Sequence, residues 1–306
     1  MNKFAPIFII IAASLWGIDG VVLRPSLYNL PVSLVVFIES MIVVTLLSPI
    51  LFKKFDVIKN LSRNDWIAFL GVGILGGAIG TMAITQALFF VNYVNLSAVI
   101  LIQKLQPVFA LAFASILLKE KLERNFFIWS ALAILGTYLM TFGITLPNLN
   151  TGEKTIIASS LSLIAAISFA SSTVLSKRAL ANVSFEVGTY LRFLIAAISM
   201  FIIVLLSSSY ESAVNISQTQ WLIFLLIAFT TGGAAIFLYY FGLKKISASV
   251  ATICELAFPL TALILEYLLR DNYLNIYQWV GVFILIVSIL RVSGSALFTN
   301  KNKKLI

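Results

Sequence analysis

The chain has 306 residues, 60% of them hydrophobic and 11% charged, at a mean hydropathy of +1.04. Soluble domains typically carry about 25% charged residues, and no soluble core absorbs this much apolar surface. The net charge of +9 would suit a nucleic-acid partner, but the placement of the charges points to membrane insertion instead.

Apolar runs of about 20 residues recur along the chain, each long enough to cross ~30 Å of hydrocarbon. Backbone hydrogen bonding in lipid permits helices or closed barrels. The runs are continuous and do not alternate, which selects helices. Ten spans are expected, at 4–23, 31–52, 66–90, 94–118, 125–144, 155–175, 184–206, 220–241, 247–269 and 276–298.

Span 1 carries Trp16 and Asp19. With Lys3 alone as its positive flank and a long apolar stretch, it reads as a retained span and not a signal peptide. Span 2 holds Glu39. Span 3 opens on Trp66 and contains two overlapping GxxxG pairs, Gly73/Gly77 and Gly76/Gly80, a spacing that lets helices approach closely. Span 4 holds Lys104 near mid-depth, where a charge costs at least ~2.5–3.5 kcal/mol. Span 6 is rich in serine: Ser159, Ser160, Ser162, Ser168, Ser171, Ser172 and Ser176. Span 7 holds Arg192 and span 8 the pair Tyr239–Tyr240. Span 9 holds Thr252, Cys254, Glu255, Pro259 and, near its outer end, Glu266. Arg291 lies in span 10. Trp66, Trp129, Trp221 and Trp279 fall near span ends, where indole rings favour the headgroup region.

If the N-terminus is cytoplasmic, the inner loops and tails hold fifteen basic residues: Lys3, Lys53, Lys54, Lys59, Arg63, Lys119, Lys121, Arg124, Lys177, Arg178, Lys244, Lys245, Lys301, Lys303 and Lys304. The outer loops hold three, Arg24, Lys154 and Arg270. This asymmetry predicts both termini inside. A multi-pass protein of a prokaryotic cell (inner or plasma) membrane is expected, with the lipid bilayer and a small-molecule substrate as partners. No nucleic acid is expected, and monomer and homodimer both stay open. The lone Cys254 excludes an internal disulfide.

The two halves repeat. A shift of 153 places LWGIDGVVLR (15–24) on SFASSTVLSK (168–177) and Glu39 on Arg192. WIAFLGVGILGGA from Trp66 matches WLIFLLIAFTTGGA from Trp221, and Pro107 falls on Pro259. The first half carries about three extra residues near Asn92–Asn95. Five spans per half is an odd number, so the halves run in opposite senses, a recurring design of secondary transporters. The expected fold is therefore all-α, a polytopic bundle of ten transmembrane helices in two inverted five-helix repeats, 1–146 and 147–306.

ASLWGIDG in span 1, QKLQPVFALAFASILLKEKL in span 4 and YYFGLKKISASVATICELAFP in spans 8–9 resemble the EamA family of the drug/metabolite transporter superfamily, over nearly the whole chain. The resemblance implies movement of small metabolites such as amino acids, driven by gradients. The sequence departs from the family pattern at three places. Gln106, not Glu, precedes Pro107; Phe258 precedes Pro259, with Glu255 one turn earlier; and span 2 has Glu39 where Arg is frequent.

Intramembrane ionisable groups usually face a bundle interior or a wet cavity. Substrate contacts are accordingly expected from Lys104, Gln103, Glu255, Glu39, Arg192, Thr252 and Asp19. Gln103, Lys104 and Pro107 share one helix face, as do Thr252, Glu255 and Pro259. Pro107 and Pro259 are expected to kink their helices. Lys104 has two readings, an ion pair with Glu255 or Glu39, or attraction of an anionic substrate group. Glu39 and Arg192 could pair or flank the cavity. Glu255 and Glu39 are the proton-coupling candidates, since coupling needs a carboxyl that passes through its neutral form.

No G-x-x-x-x-G-K-[ST] stretch is present, and no metal or cofactor is expected. With no histidine and one cysteine, intramembrane enzyme chemistry has almost no material. A gradient-driven carrier of small metabolites, amphiphilic or anionic, working by alternating access and favouring export, is the expected function. A non-transporting scaffold or receptor is the alternative, ahead of an enzyme.

Overall fold

The computed structural model describes residues 4–90, 99, 102–146, 153–269 and 273–298. Among these, nine helical segments are long and apolar enough to cross a membrane: Ala5–Leu27, Val32–Lys59, Arg63–Ala87, Arg124–Phe142, Ile156–Ala179, Phe185–Leu206, Gln218–Leu243, Ala248–Leu269 and Ile276–Gly294. A shorter apolar helix, Gln106–Leu117, falls where span 4 is expected. The difference from ten full spans has a local cause. The start of span 4 and the extra residues near Asn92–Asn95 lie outside the described residues, and the described part is interrupted at Lys104–Leu105. Lys3, Arg270 and the C-terminal lysines also lie outside. The protein is all-helical, a membrane bundle of two helical repeats.

The packing of the spans has a pattern. Span 5 packs on span 10 and span 2 on span 7, each pair joining equivalent members of the two halves. The remaining large contacts come in partners. Span 3 packs on span 6 as span 8 packs on span 1. Span 4 packs on span 6 as span 9 packs on span 1. Span 3 packs on span 7 as span 8 packs on span 2. Replacing each span by its equivalent five places away maps this set onto itself.

Small residues let the backbones approach. A Cβ at Gly73 or Gly77 would meet Ile195 or Ala196 of span 7 at 2.5–2.6 Å, and one at Gly76 or Gly80 would meet Ser172 or Phe169 of span 6. The two GxxxG pairs of span 3 thus face two different neighbours. Gly73, Gly76 and Gly77 lie in a widened π-helical stretch, Val72–Ile79, that ends at Gly80 and turns successive small residues to both sides. At the crossing of spans 5 and 10, a Cβ at Gly281 would run into the Met140 nitrogen and stand 2.8 Å from the Gly136 carbonyl. Backbone atoms cannot yield as a side-chain tip can. Gly281→Ala is therefore expected to force these helices apart at a cost of about 1–3 kcal/mol, seen as an earlier thermal transition in detergent than Gly294→Ala, whose Cβ meets nothing within 4 Å.

Several spans are broken. Span 1 has a π-helical segment at Asp19–Leu23. Span 8 unwinds at Thr230–Gly232 between Gln218–Phe229 and Gly233–Leu243. The amide of Gly232 turns back to the Ile227 carbonyl at 2.7 Å. Span 9 breaks at Glu255–Leu256, between Ala248–Cys254 and Ala257–Leu269. Span 4 breaks at Lys104–Leu105, before Gln106–Leu117. Where kinks are expected at Pro107 and Pro259, the helical hydrogen bonding is interrupted two to four residues before each proline, while the backbone stays right-handed at Leu105 and Glu255. The reason is chemical: proline cannot donate to the carbonyl four residues earlier, which is Gln103 in span 4 and Glu255 in span 9. The two deepest charges of these spans sit at equivalent helix interruptions, where membrane proteins tolerate irregular backbone if protein surrounds it.

Candidate functional site

The break in span 9 presents Glu255 to three neighbouring spans. Tyr239 Oη of span 8 donates to Glu255 Oε1 at 2.5 Å, and Thr173 Oγ1 of span 6 reaches the same oxygen at 3.3 Å. Gln106 Nε2 of span 4 donates to Oε2 at 3.0 Å. Four spans thus converge on one half-buried carboxyl whose partners are all neutral. Trp16 of span 1 packs on Tyr239, with ring centroids 5.4 Å apart. Thr252, one turn earlier on span 9, is buried, and among the described residues its hydroxyl has no hydrogen-bond partner.

Arg192 of span 7 lies beside this cluster, near enough to act electrostatically on Glu255. Its Nη1 makes two long contacts of 3.4 Å, to Ser172 Oγ and Tyr240 Oη, and its guanidinium stands 5.9 Å from the Tyr240 ring centroid. Tyr240 Oη in turn shares a 2.7 Å bond with Ser176 Oγ. Among the described residues no carboxylate lies within 4 Å of Arg192. Lys104 is half-buried, with its Nζ 5.6 Å from the centroid of the Phe258 ring, inside cation–π range. Gln103, half-buried, ends the helical turn before it.

The remaining charges form a separate cluster. Arg24 Nε pairs with Asp19 Oδ2 at 2.7 Å and Nη2 with Glu39 Oε2 at 3.4 Å. Thr231, at the break in span 8, donates to Asp19 Oδ1 at 3.2 Å. The π-helical turn makes this geometry. The Arg24 amide bonds to the Asp19 carbonyl five residues back, which stacks side chains i and i+5 that an α-helix would rotate apart. Glu39 Oε1 is buried, with no hydrogen-bond partner among the described residues.

Two open alternatives are narrowed and one placement is corrected. Among the described residues Lys104 pairs with neither Glu255 nor Glu39 within 4 Å, because neutral donors already surround Glu255 and Arg24 holds Glu39. Glu39 does not pair with Arg192, since each belongs to a different cluster. Arg24, read from the sequence as an outer-loop charge, is a partner of two intramembrane carboxylates. The expected residues are therefore divided, with Lys104, Gln103, Glu255, Arg192 and Thr252 around the breaks of spans 4 and 9, and Asp19 and Glu39 at the end of span 1.

The profile of the EamA-like transporter family matches residues 3–142 and again residues 156–294. The chain belongs to that family. Over 289 residues it is 45% identical to the riboflavin transporter ImpX of Fusobacterium nucleatum subsp. nucleatum, covering 94% of this chain and 96% of that one. It is 26% identical over 257 residues to the uncharacterized transporter sll1164 of Synechocystis sp., covering 81% and 71%. A crystal structure at 16% identity superposes with a TM-score of 0.77 over 98% of this chain and 100% of the other, so the fold is shared. This EamA-like protein is a multi-pass membrane transporter, and not an enzyme.

The site of this transporter includes groups that sequence reasoning passed over. Gln106 stood out as a departure before Pro107, and that position was the signal. Tyr239 and Tyr240 stand in span 8 with no polar pattern around them to mark them. Thr173, Thr231 and Arg24 carried no distinguishing pattern in an α-helical frame.

Proposed function

We propose that this protein is a gradient-driven carrier of riboflavin or a closely similar flavin, built of two inverted repeats, 1–146 and 147–306, and working by alternating access. The observation that carries the reading is the 45% identity, over nearly the full length of both chains, to a protein named as a riboflavin transporter. The chemistry of the site agrees. Riboflavin is uncharged, with a flat aromatic ring system edged by carbonyl and nitrogen acceptors and a tail of hydroxyls. Trp16, Tyr239, Tyr240 and Phe258 offer aromatic faces. Lys104 and Arg192, each without a carboxylate within 4 Å among the described residues, offer donors to ring carbonyls. Gln106, Thr173 and Thr252 suit hydroxyls.

Glu255 is the leading candidate for proton coupling, since a carboxyl held by neutral donors can exchange its proton without breaking an ion pair. Glu39 is the second, tied to Arg24. The bias of basic residues supports an arrangement with both termini in the cytoplasm of a cell membrane. The direction of net flux then follows the imposed gradients, because inverted halves present equivalent paths to both sides.

Purified protein in liposomes should exchange internal riboflavin for external radiolabelled riboflavin, with saturation and with competition by unlabelled riboflavin but not by amino acids. Flux of amino acids with none of flavin would replace this substrate class with the one implied by family resemblance alone.

A further inference from the structure

The internal repeat matches the Arg24 cluster to a second place in the bundle. The shift of 153 carries Asp19, Arg24 and Glu39 onto Ser172, Lys177 and Arg192, and the alignment of Trp66 with Trp221 carries Gly76 onto Thr231. The structure keeps the equivalence. Glu39 and Arg192 each lie two turns into their helices, Val32–Lys59 and Phe185–Leu206. Thr231 donates to Asp19, and a Cβ at Gly76 would run into Ser172 and stand 3.4 Å from Arg192 Nη1. The chemistry of the two places differs. In the first half the cluster neutralises itself, because Arg24 bridges Asp19 and Glu39. In the second half the position of Asp19 holds neutral Ser172, and the position of Arg24 holds another cation. Span 6 is α-helical from Glu153 to Ala179, so no π-helical turn brings residues i and i+5 together. Lys177 Nζ instead donates to the Leu243 and Lys244 carbonyls at 2.9 and 3.1 Å. Arg192 keeps its two 3.4 Å contacts to hydroxyls, with no carboxylate within 4 Å among the described residues. Glu255, which acts on it electrostatically, is held by three neutral donors. Arginines inside a membrane bundle are almost always paired.

We infer that Arg192 anchors an anion-binding subsite, taking an oxyanion of phosphate type in the role that the Asp19 carboxylate fills in the other half. The guanidinium fork matches such groups bidentately. Ser172 Oγ and Tyr240 Oη stand beside it, and Ser176 Oγ is bonded to Tyr240 Oη. Hydroxyl hydrogens rotate, so each of these can turn a donor toward an anion. Lys244, bonded to the Val183 carbonyl just ahead of span 7, and Lys177 add positive charge at the nearer end of the bundle and favour anions there. An uncharged flavin would leave the charge of Arg192 unmet. The oxyanion is a free ion or a phosphate ester carried on the cargo. The subsite follows from the repeat and the geometry, and only its use by a flavin phosphate rests on the flavin reading above.

Thermal unfolding of the purified protein in detergent tests the subsite without any transport. Inorganic phosphate, exchanged for a bulky sulfonate at constant ionic strength, should raise the wild-type transition by about 2 °C per tenfold increase above its Kd. Arg192→Gln should lose this response. Arg192→Lys should keep part of it, since lysine retains the charge without the fork. Ser172→Asp supplies the carboxylate of the other half. It should unfold later than wild type in phosphate-free buffer and respond no further to phosphate. Riboflavin 5′-phosphate, set against riboflavin, is the second probe. A response to inorganic phosphate assigns the subsite to a free anion. A response to the ester alone, lost in Arg192→Gln, assigns it to a phosphate on the cargo. An equal phosphate response in wild type and Arg192→Gln would overturn the subsite, as would silence toward both probes. A response that emerges only in Glu255→Gln would also overturn it, and make Arg192 the counter-ion of Glu255. Phosphate response without flavin exchange in liposomes would leave the subsite standing and remove the flavin reading. Flavin exchange without response to either probe would do the opposite.

Discussion

Replacing Arg24 with alanine should cost this protein about 3–5 kcal/mol of stability, the range found when one partner of a buried ion pair is removed. The side chain of Arg24 is 25% exposed, against 10% for Asp19 and 14% for Glu39, so the lower part of that range applies. The loss follows from what remains. Two carboxylates would be left near one another at the end of span 1, with the Thr231 hydroxyl still bonded to Asp19 Oδ1. Thermal unfolding in detergent should shift down by on the order of 10 °C, while Arg178→Ala, an exposed arginine, should leave the transition unmoved. Neutralising the orphaned acids in the same background, as Arg24→Ala with Asp19→Asn and Glu39→Gln, should recover most of the loss. An unchanged transition in the single variant would show that water reaches all three groups and that the cluster adds nothing to folding.

The way this cluster escaped the sequence shows what patterns can and cannot carry. The spans were legible because lipid demands about 20 apolar residues whatever those residues pack against. The repeat was legible because tryptophan, paired glycines and proline hold positions that the backbone needs in both halves. Side-chain partners depend on rotation about each helix axis. Reading Asp19 at α-helical spacing looks three or four residues on, to Val22 and Leu23, whereas one π-helical turn selects Arg24. The ion-pair alternative for Lys104 fell in the same way. The alignment set its span beside Glu255, but Lys104 stands at the break itself, and Gln106, just past it, is the residue that reaches the carboxyl. A one-residue register at a broken helix decides which of two polar neighbours makes the contact, and composition and periodicity do not record it.

That register leads to the transport prediction with the largest effect. Glu255→Gln keeps the volume of the side chain and one acceptor oxygen. With that oxygen on Gln106 Nε2, the new amide can donate to Tyr239 Oη, which accepts as readily as it donates. The fold should persist, at a cost of about 0.5–1.5 kcal/mol for the exchanged hydrogen bonds. Glu255→Ala would instead leave the donors of Tyr239, Thr173 and Gln106 facing a void, at about 1–3 kcal/mol for each one unsatisfied, and is the structural control. What glutamine cannot do is take up and release a proton. If Glu255 links proton movement to substrate, a coupling free energy of about 1–3 kcal/mol disappears, and with it roughly a 5–150-fold dependence of substrate distribution on the pH gradient. In liposomes the wild-type protein should accumulate riboflavin when a pH gradient is imposed. Glu255→Gln should still exchange riboflavin across the membrane at equal pH, yet fail to concentrate it. Accumulation by Glu255→Gln at the wild-type level would remove Glu255 from the coupling step and leave Glu39, paired to Arg24, as the carboxyl to test next. Wild-type flux indifferent to pH would remove proton coupling altogether.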